Sequence, residues 1–413
     1  MVSVTIHPAR FCHHLLSISS SSLHPRFFNN STFSSCSPGP AHRSSSIRNS
    51  SSARFPPFPP SSSISKLLDD AYSGEPVPRS KSRESHQTEP GTILLFPGQG
   101  SQRPGMCAGL GAHPEAMEVF AEAKKVLGWD PWVSSQTGSA DDLVHTEICQ
   151  PVIFTASIAA FAVLQKRFPQ VVDECRAVAG YSLGELTALV IAGTMIFEDG
   201  LRVVAERGAA MGQASLERPG GMLTVSIRTG NSSKAIDAAC QAARDHCIAE
   251  MGMTSPVCQL ASYLYPGVRV IGGDDKALKY IQANAASFGL TRPIRLPVSG
   301  AFHTDMMASA VAALDRTLGT VSLVHPQIPV IANVTAMYHG HGPSIHKNLL
   351  KQLTQPVLWE QTMTALYQRP QQTNFPISIE VGPGGQLGMA LRRTNRKAWV
   401  CYRHFEGTMT KDL

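Results

Sequence analysis

The chain has 413 residues, of which 43% are hydrophobic and 16% charged, and its formal net charge is +6. This composition is that of a globular protein with a large core, and the length is that of two or three domain-sized units. Six of the 36 basic residues precede Asp69 and no acidic residue does, so the remainder is formally neutral and is not expected to bind nucleic acid.

The N-terminal segment, residues 1–68, differs in composition from the rest of the chain. It is rich in serine, contains scattered arginines and lacks acidic residues. This composition is typical of a mitochondrial or plastid transit peptide, and a disordered tail without a targeting role is the alternative. Because VTIHPARFCHHLLSI (4–18) could form a basic, apolar helix, we predict import into the mitochondrial matrix, with the plastid stroma as the alternative. Residues 69–90 are predicted to be a linker.

The cysteines and the apolar stretches limit the class of protein further. The nine cysteines are scattered and form no C-x-x-C pair, which favours reduced thiols over a zinc or redox site. The apolar stretches Val152–Leu164 and Leu186–Phe197 are short and interrupted, so we expect no membrane span.

Apolar runs alternate with helical patterns on either side of the chain's middle part. In chain order they predict a strand at TILLF (92–96), a buried helix at 151–166, a strand at Ala177–Gly180, a helix at Leu183–Ala192, and strands at VIANV (330–334) and ISIEVG (377–382). This alternation favours an α/β fold with a hydrolase-like parallel sheet. We assign residues 91–215 and 299–400 to this core.

Residues 216–298 are predicted to have a different order of strands and helices. The predicted elements are a strand at MLTVSI (222–227), a helix at 232–247, strands near Gln259–Ser262 and Val268–Ile271, a helix at Ala277–Phe288 and a strand at Arg292–Val298. The order βαββαβ is the ferredoxin-like pattern, so we expect an inserted ferredoxin-like subdomain. Residues 401–413 are predicted to form a C-terminal tail.

The stretch GYSLG (180–184) lies where a predicted strand becomes a helix. It fits G-x-S-x-G, the pattern of a reactive serine on a strained turn, where glycines relieve crowding. Unpaired amides at the helix N-terminus can stabilise an oxyanion. The pattern predicts Ser182 as a nucleophile, and an ordinary glycine-rich turn is the alternative.

A serine nucleophile needs a base, and His303 is the candidate. It follows a predicted strand and a Ser-Gly turn in the α/β part of the chain, and a structural histidine is the alternative. The acidic candidates between Ser182 and His303 fall in the predicted subdomain. A Ser–His dyad oriented by a backbone carbonyl is therefore favoured over a triad.

Six motifs occur in an order that resembles one known family. They are FPGQGSQ (96–102), GYSLGE (180–185), AERGAAM (205–211), GAFHT (300–304), NVTA (333–336) and EVGPGGQL (380–387). From Thr92 to Arg393 the chain is similar to the malonyl-CoA:acyl carrier protein transacylase family, in an organellar form. The commonest family motif has histidine where this chain has Tyr181.

The resemblance implies roles for eight residues. They are the nucleophile Ser182, the base His303, the oxyanion-hole amides of Gln99 and Leu183, the malonyl-carboxylate ligand Arg207, the pocket residue Gln150, Phe302, which would exclude a methylmalonyl group, and Asn333, whose carbonyl would orient His303. Without the resemblance, a salt bridge of Arg207 to an Asp or Glu is the favoured interpretation, because a buried arginine needs an anionic partner.

The implied reaction is malonyl transfer from malonyl-CoA to the phosphopantetheine thiol of an acidic acyl carrier protein, in type II fatty acid synthesis. It would proceed through a malonyl-serine intermediate on a monomer and would need no metal or redox cofactor. A serine thioesterase or esterase acting on acyl-CoA and a non-catalytic scaffold are the alternatives. A basic cluster (Arg392, Arg393, Arg396 and Lys397) is a candidate docking patch for the carrier protein, with an ordinary solvated face as the alternative.

Overall fold

The apolar run TILLF forms strand β1 with all five residues buried, inside a parallel sheet. This computed structural model describes residues 91–228, 234–370 and 373–409. The predicted transit peptide (1–68), the predicted linker (69–90) and residues 410–413 of the predicted tail lie outside the described residues. The strands are β1 Thr92–Phe96, β2 Cys175–Gly180, β3 Gly220–Ile227, β4 Cys258–Tyr265, β5 Val268–Asp274, β6 Leu290–Arg295, β7 Ile377–Val381 and β8 Tyr402–Phe405.

Helices surround these strands. Those of the described residues are α1 Pro114–Leu127, α2 Pro131–Thr137, α3 Thr146–Arg167, α4 Pro169–Asp173, α5 Leu183–Ile191, α6 Phe197–Glu217, α7 Lys234–Met251, α8 Asp275–Asn284, α9 Ala308–Leu318, α10 Gly342–Thr354, α11 Trp359–Leu366, α12 Gln386–Thr394 and α13 Arg396–Trp399. Short 3-10 turns occupy Ala108–Leu110, Asp142–Val144, Ala285–Phe288 and Asp305–Met307.

The first sheet has the strand order β2-β1-β7-β8, and all of its pairs are parallel. Phe96 pairs with Gly180 at the ends of β1 and β2. The loops after these two strands therefore leave the sheet at the same carboxyl edge, where open α/β sheets form their binding sites. The chain is an α/β protein with a parallel sheet, as the alternation of elements predicts.

Two predictions about this sheet are wrong. Residues 402–405, predicted as part of a tail, form β8, which pairs with β7 and buries Phe405 completely. The sequence YRHF mixes aromatic and charged residues and has no apolar run. Its strand conformation therefore depends on pairing with β7. The stretch VIANV forms no regular strand, because Val330 and Ile331 make only isolated bridges, to Val178 and Tyr338 respectively.

Helix α3 forms the centre of the larger core and is longer than predicted. With 22 residues the helix is long and apolar enough to cross a membrane, but 83% of its 18-residue apolar window is buried inside the protein. Packing against neighbouring helices, among them α1 and α6, accounts for its apolar character. The sequence analysis expected no membrane span because the apolar stretches are short, and that reason does not hold for this helix.

The second sheet is built from β3 to β6 in the order β4-β5-β3-β6, and all of its pairs are antiparallel. Helix α7 lies between β3 and β4 in the chain, and α8 lies between β5 and β6. Buried side chains of both helices, such as Ile236 and Leu278, pack with sheet residues such as Val225 and Ile271 in a separate apolar cluster.

Candidate active site

Ser182 lies on a tight turn between β2 and α5. Its backbone has φ 53° and ψ −104°, a strained conformation for a residue other than glycine. The flanking glycines are required by close packing. A Cβ on Gly180 would lie 1.9 Å from the carbonyl carbon of Gly184, and one on Gly184 would lie 2.1 Å from the oxygen of Phe96. Gly180 therefore lets the turn close on itself, and Gly184 lets it approach β1.

The side chain of Asn333 holds this turn through two hydrogen bonds. Its Oδ1 accepts a hydrogen bond of 2.6 Å from the amide of Ser182, and its Nδ2 donates one of 2.8 Å to the carbonyl of Gly180. The carbonyl of Asn333 instead accepts from the amide of Leu358 at 2.8 Å. The prediction that this carbonyl orients His303 is wrong.

His303 is brought to Ser182 across 121 residues of sequence. Its Nε2 lies 2.8 Å from Oγ of Ser182, and its Nδ1 lies 2.6 Å from the carbonyl oxygen of Gln352 on α10. Since a carbonyl can only accept, Nδ1 carries the proton and Nε2 presents its lone pair to the serine hydroxyl. A backbone carbonyl does orient the imidazole, but it belongs to Gln352.

The environment of His303 keeps its imidazole neutral. The side chain is 4% exposed, and burial together with the nearby Arg207 guanidinium lowers its pKa to about 4, against the opposing effect of the Gln352 carbonyl. At neutral pH the imidazole is therefore free to accept a proton from Ser182.

Arg207 lies on α6 and is 2% exposed. It donates to Oε1 of Gln150 at 2.7 Å, to Oε1 of Gln352 at 2.8 Å and to Oγ of Ser182 at 3.1 Å. Among the described residues no carboxylate oxygen lies within 4.0 Å of its nitrogens, so the salt bridge expected without the resemblance is not observed. Its Nε is buried without a hydrogen-bond partner.

Burial of the guanidinium of Arg207 lowers its pKa to about 10, and the charge of Glu185 opposes this shift. The group is therefore still a cation at neutral pH. A buried cation that hydrogen-bonds only neutral groups is an unsatisfied electrostatic site for an anion.

The remaining predicted residues surround this pair. Gln150 donates from Nε2 to Oε1 of Gln99 at 3.5 Å, which joins the loop after β1 to the arginine pocket. The backbone amides of Gln99 and Leu183 have no acceptor within the part of the chain that the structure describes. Phe302, next to His303, is 5% exposed and packs in the main core.

Metal ligands are not grouped at this site. Across residues 91–228, 234–370 and 373–409, no three His, Cys, Asp or Glu side chains are placed to hold a metal ion. The chemistry available from the described side chains is that of a serine, a neutral imidazole and a buried guanidinium.

Known proteins are similar to this chain in sequence and in fold. The family model for the acyl transferase domain matches residues 93–413. The human mitochondrial malonyl-CoA-acyl carrier protein transacylase is 43% identical over 355 residues, which cover 86% of this chain and 90% of the relative. The chain belongs to the malonyl-CoA-acyl carrier protein transacylase family.

Solved structures of the transacylase family superpose on this chain. The enzyme from Xanthomonas oryzae has a TM-score of 0.67 at 33% identity, covering 77% of this chain and 95% of its own. A malonyl transacylase solved in complex with its type II polyketide acyl carrier protein has a TM-score of 0.66 at 31% identity, covering 74% and 94%.

The sequence analysis of this family member missed Gln352 and assigned no role to Glu185. Gln352 is fully buried on α10, on the face that also buries Ile345, Leu349 and Leu353. A glutamine on the apolar face of an amphipathic helix was the available signal. Glu185 lies within the quoted motif GYSLGE and is also fully buried.

Tyr181, which stands where the transacylase family commonly has histidine, makes contacts away from the reacting groups. Its hydroxyl donates to Oγ of Ser262 on β4 at 2.9 Å, and its ring packs edge-on against Trp359 with centroids 5.5 Å apart. The side chain therefore joins the two sheets rather than the catalytic dyad.

Proposed function

We propose that the chain transfers the malonyl group from malonyl-CoA to the phosphopantetheine thiol of acyl carrier protein through a malonyl ester of Ser182, in type II fatty acid synthesis. The observation that carries this proposal is Arg207. It is a buried cation without a carboxylate partner within 4.0 Å among the described residues, and it lies in hydrogen-bond contact with the nucleophile's hydroxyl at 3.1 Å. A free carboxylate on the acyl group supplies the missing anion.

In the first half-reaction, Oγ of Ser182 attacks the thioester carbonyl carbon and its proton passes to Nε2 of His303. The oxyanion that forms accepts hydrogen bonds from the amides of Gln99 and Leu183, each such donor typically contributing about 3 kcal/mol to the transition state. The carbon–sulfur bond then breaks, and the departing CoA thiolate takes the proton from His303.

In the second half-reaction, the carrier-protein thiol gives its proton to His303 and attacks the ester carbon of malonyl-Ser182. Collapse of the intermediate breaks the ester bond, and the imidazolium returns the proton to the serine oxygen. Because Nδ1 donates to the Gln352 carbonyl in both protonation states, the imidazole keeps its orientation throughout.

Specificity for malonyl groups follows from the pocket. Gln150 and Gln352 hold the guanidinium of Arg207 by its two terminal nitrogens, from which it can form charge-assisted hydrogen bonds to a carboxylate. An acetyl group would leave this cation unpaired. The ring of Phe302, buried beside His303, would restrict the space for an α-methyl group. A thioesterase acting on uncharged acyl groups would gain nothing from Arg207, so that alternative is not favoured.

The carrier protein would dock on the basic cluster of α12 and α13. Arg392, Arg393, Arg396 and Lys397 are all exposed. Helix α12 begins at Gln386, whose Nε2 donates to the carbonyl of Gly100 at 3.3 Å, beside Gln99. One end of the helix thus adjoins the proposed oxyanion loop and the other presents positive charge to an acidic partner.

Three further proposals concern location, domain organisation and oligomeric state. Residues 1–68 would direct import into the mitochondrial matrix, as the mitochondrial designation of the human relative supports. The order and pairing of β3 to β6 support a ferredoxin-like subdomain over residues 216–298, inserted in a hydrolase-like core of residues 91–215 and 299–405. Since one chain supplies every group named in the mechanism, the enzyme would act as a monomer.

The test is intact-mass analysis of the purified protein after mixing with malonyl-CoA. Wild type is expected to gain one malonyl group and to lose it on addition of holo acyl carrier protein, with malonyl carrier protein as the product. Ser182→Ala should gain none. A wild-type protein that stays unmodified, or that releases malonate to water instead of loading the carrier, would refute the proposal.

A further inference from the structure

Glu185 lies one helical turn beyond Ser182 on α5, is fully buried and takes no part in the steps above. Its Oε2 accepts hydrogen bonds from Nε2 of Gln352 at 2.6 Å and from the amide of Asn333 at 3.1 Å. Its Oε1 lies 2.7 Å from Nε2 of His339. A single carboxylate therefore joins three separate segments of the chain: the helix after the nucleophile, the Asn333 loop and α10.

The partners of Glu185 are the residues that hold the reacting groups. Asn333 bonds the amide of Ser182 through its side chain. Gln352 forms a hydrogen bond with each of the three functional residues. Its Nε2 donates to the carbonyl of Ser182 at 3.0 Å, and its main-chain oxygen accepts from His303 at 2.6 Å. Its Oε1 accepts from Arg207 at 2.8 Å. The carboxylate of Glu185 thus reaches the site through hydrogen bonds to these two residues.

The charge of Glu185 strengthens the arrangement. Oε2 accepts from two N–H groups, the side-chain amide of Gln352 and the backbone amide of Asn333. The amide of Gln352 then stands between a carboxylate at its nitrogen and the Arg207 guanidinium at its oxygen. Hydrogen bonds in such a chain polarise one another, and those to charged groups are the stronger ones.

We infer that Glu185 is a positioning residue for acyl transfer, which sets the rate of Ser182 acylation by holding Gln352 and Asn333 in place. It touches none of the reacting atoms. The inference rests on the proposed function, because the rate in question is that of forming malonyl-Ser182.

Glu185→Gln tests the inference in the full chain, because it keeps the shape of the side chain but removes the charge and replaces one oxygen by a donor. The readout is the first-order rate constant of malonyl-adduct formation at saturating malonyl-CoA. A merely structural loss lowers the amplitude or the thermal midpoint but leaves this constant unchanged. We expect it to fall by about 10- to 100-fold, the range for losing hydrogen bonds to a charged group.

The matched control is Glu380→Gln. Glu380 is also fully buried and also accepts from several donors, namely the amides of Leu387 and Gly388 and the hydroxyl of Tyr402. It contacts none of the site residues in those bonds. We expect its rate constant to stay within about threefold of wild type even if its unfolding midpoint falls, because the sites are independent.

Gln352→Met removes the amide that donates to Glu185. It therefore tests the same contact even if Glu185→Gln does not fold. It retains the main-chain bond to His303 but removes the amide, so it should also slow acylation at least about tenfold. The double variant should be slowed by less than the product of the single effects. Acylation within threefold of wild type in either single variant, or fully multiplicative losses, would overturn the inference. Absence of a wild-type adduct would instead refute the proposed function.

Discussion

Removal of the Arg207 side chain is the most direct perturbation of acyl-group choice. In the free protein the guanidinium donates only to neutral oxygens, at 2.7, 2.8 and 3.1 Å. A bound carboxylate would add two charge-assisted bonds, each contributing about 1.5–3 kcal/mol. Their loss corresponds to a decrease of about 10²- to 10⁴-fold in kcat/KM for malonyl-CoA. Acetyl-CoA would make no such contact, so any acylation of Ser182 by acetyl-CoA should fall by less than about tenfold.

The assay compares Ser182 adduct formation from malonyl-CoA and acetyl-CoA in wild type, Arg207→Ala and Arg207→Lys. Lysine keeps the positive charge but lacks the planar fork, so this variant should recover only part of the malonyl rate. The decisive quantity is the ratio of the two kcat/KM values, which is insensitive to the fraction of folded protein. Equal losses for both acyl groups would show that Arg207 supports the fold of the site and does not anchor the carboxylate.

The remaining predictions concern protonation, packing and the turn. Because the pKa of His303 is lowered to about 4, kcat/KM should be flat from about pH 8 to about pH 5.5 and should fall only as the imidazole becomes protonated near pH 4; a break near an ordinary histidine pKa of about 6.5 would contradict this environment. Tyr181→Phe deletes the 2.9 Å bond to Ser262 and should lower the unfolding free energy by about 1 kcal/mol without slowing acylation; slower chemistry in denaturant-matched samples would give the ring hydroxyl a catalytic role. Gly184→Ala would place a methyl group 2.1 Å from a backbone oxygen of β1 and should destabilise the fold by about 3 kcal/mol or more, whereas Gly385→Ala, whose Cβ would meet nothing within 4 Å, serves as the control in urea unfolding.

Local patterns allowed much of the α/β architecture to be predicted. TILLF and AVAG are short apolar runs next to a glycine or ending in one, and both form strands of the parallel sheet. YRHF could not be recognised as β8, since its partner strand β7 lies 24 residues earlier in the sequence, as in the register pair Val381–Phe405. Strand formation there depends on a partner that local composition does not encode.

The residues of the candidate site also fall into two groups, those that could be predicted from the sequence and those that could not. Ser182 and His303 could be selected from the residues around them, whereas the carboxylate-binding role of Arg207 came only from the resemblance to the family. The residues that hold them could not. Gln352 and Glu185 are ordinary polar residues in helical sequence, and the carbonyl that orients His303 is a backbone atom that every residue possesses.

The sequence by itself therefore determined the kind of chemistry: a serine between two glycines and a later histidine, to which the family resemblance of its motifs added an arginine. Only the tertiary structure decided the support of these groups. It placed the Gln352 carbonyl 2.6 Å from His303, turned the Asn333 side chain toward the amide of Ser182 and left Arg207 without an adjacent carboxylate among the described residues. The physical reason is that these hydrogen bonds join segments 49 to 151 residues apart in sequence, so they arise from how helices and loops pack, and packing leaves little trace in any one segment.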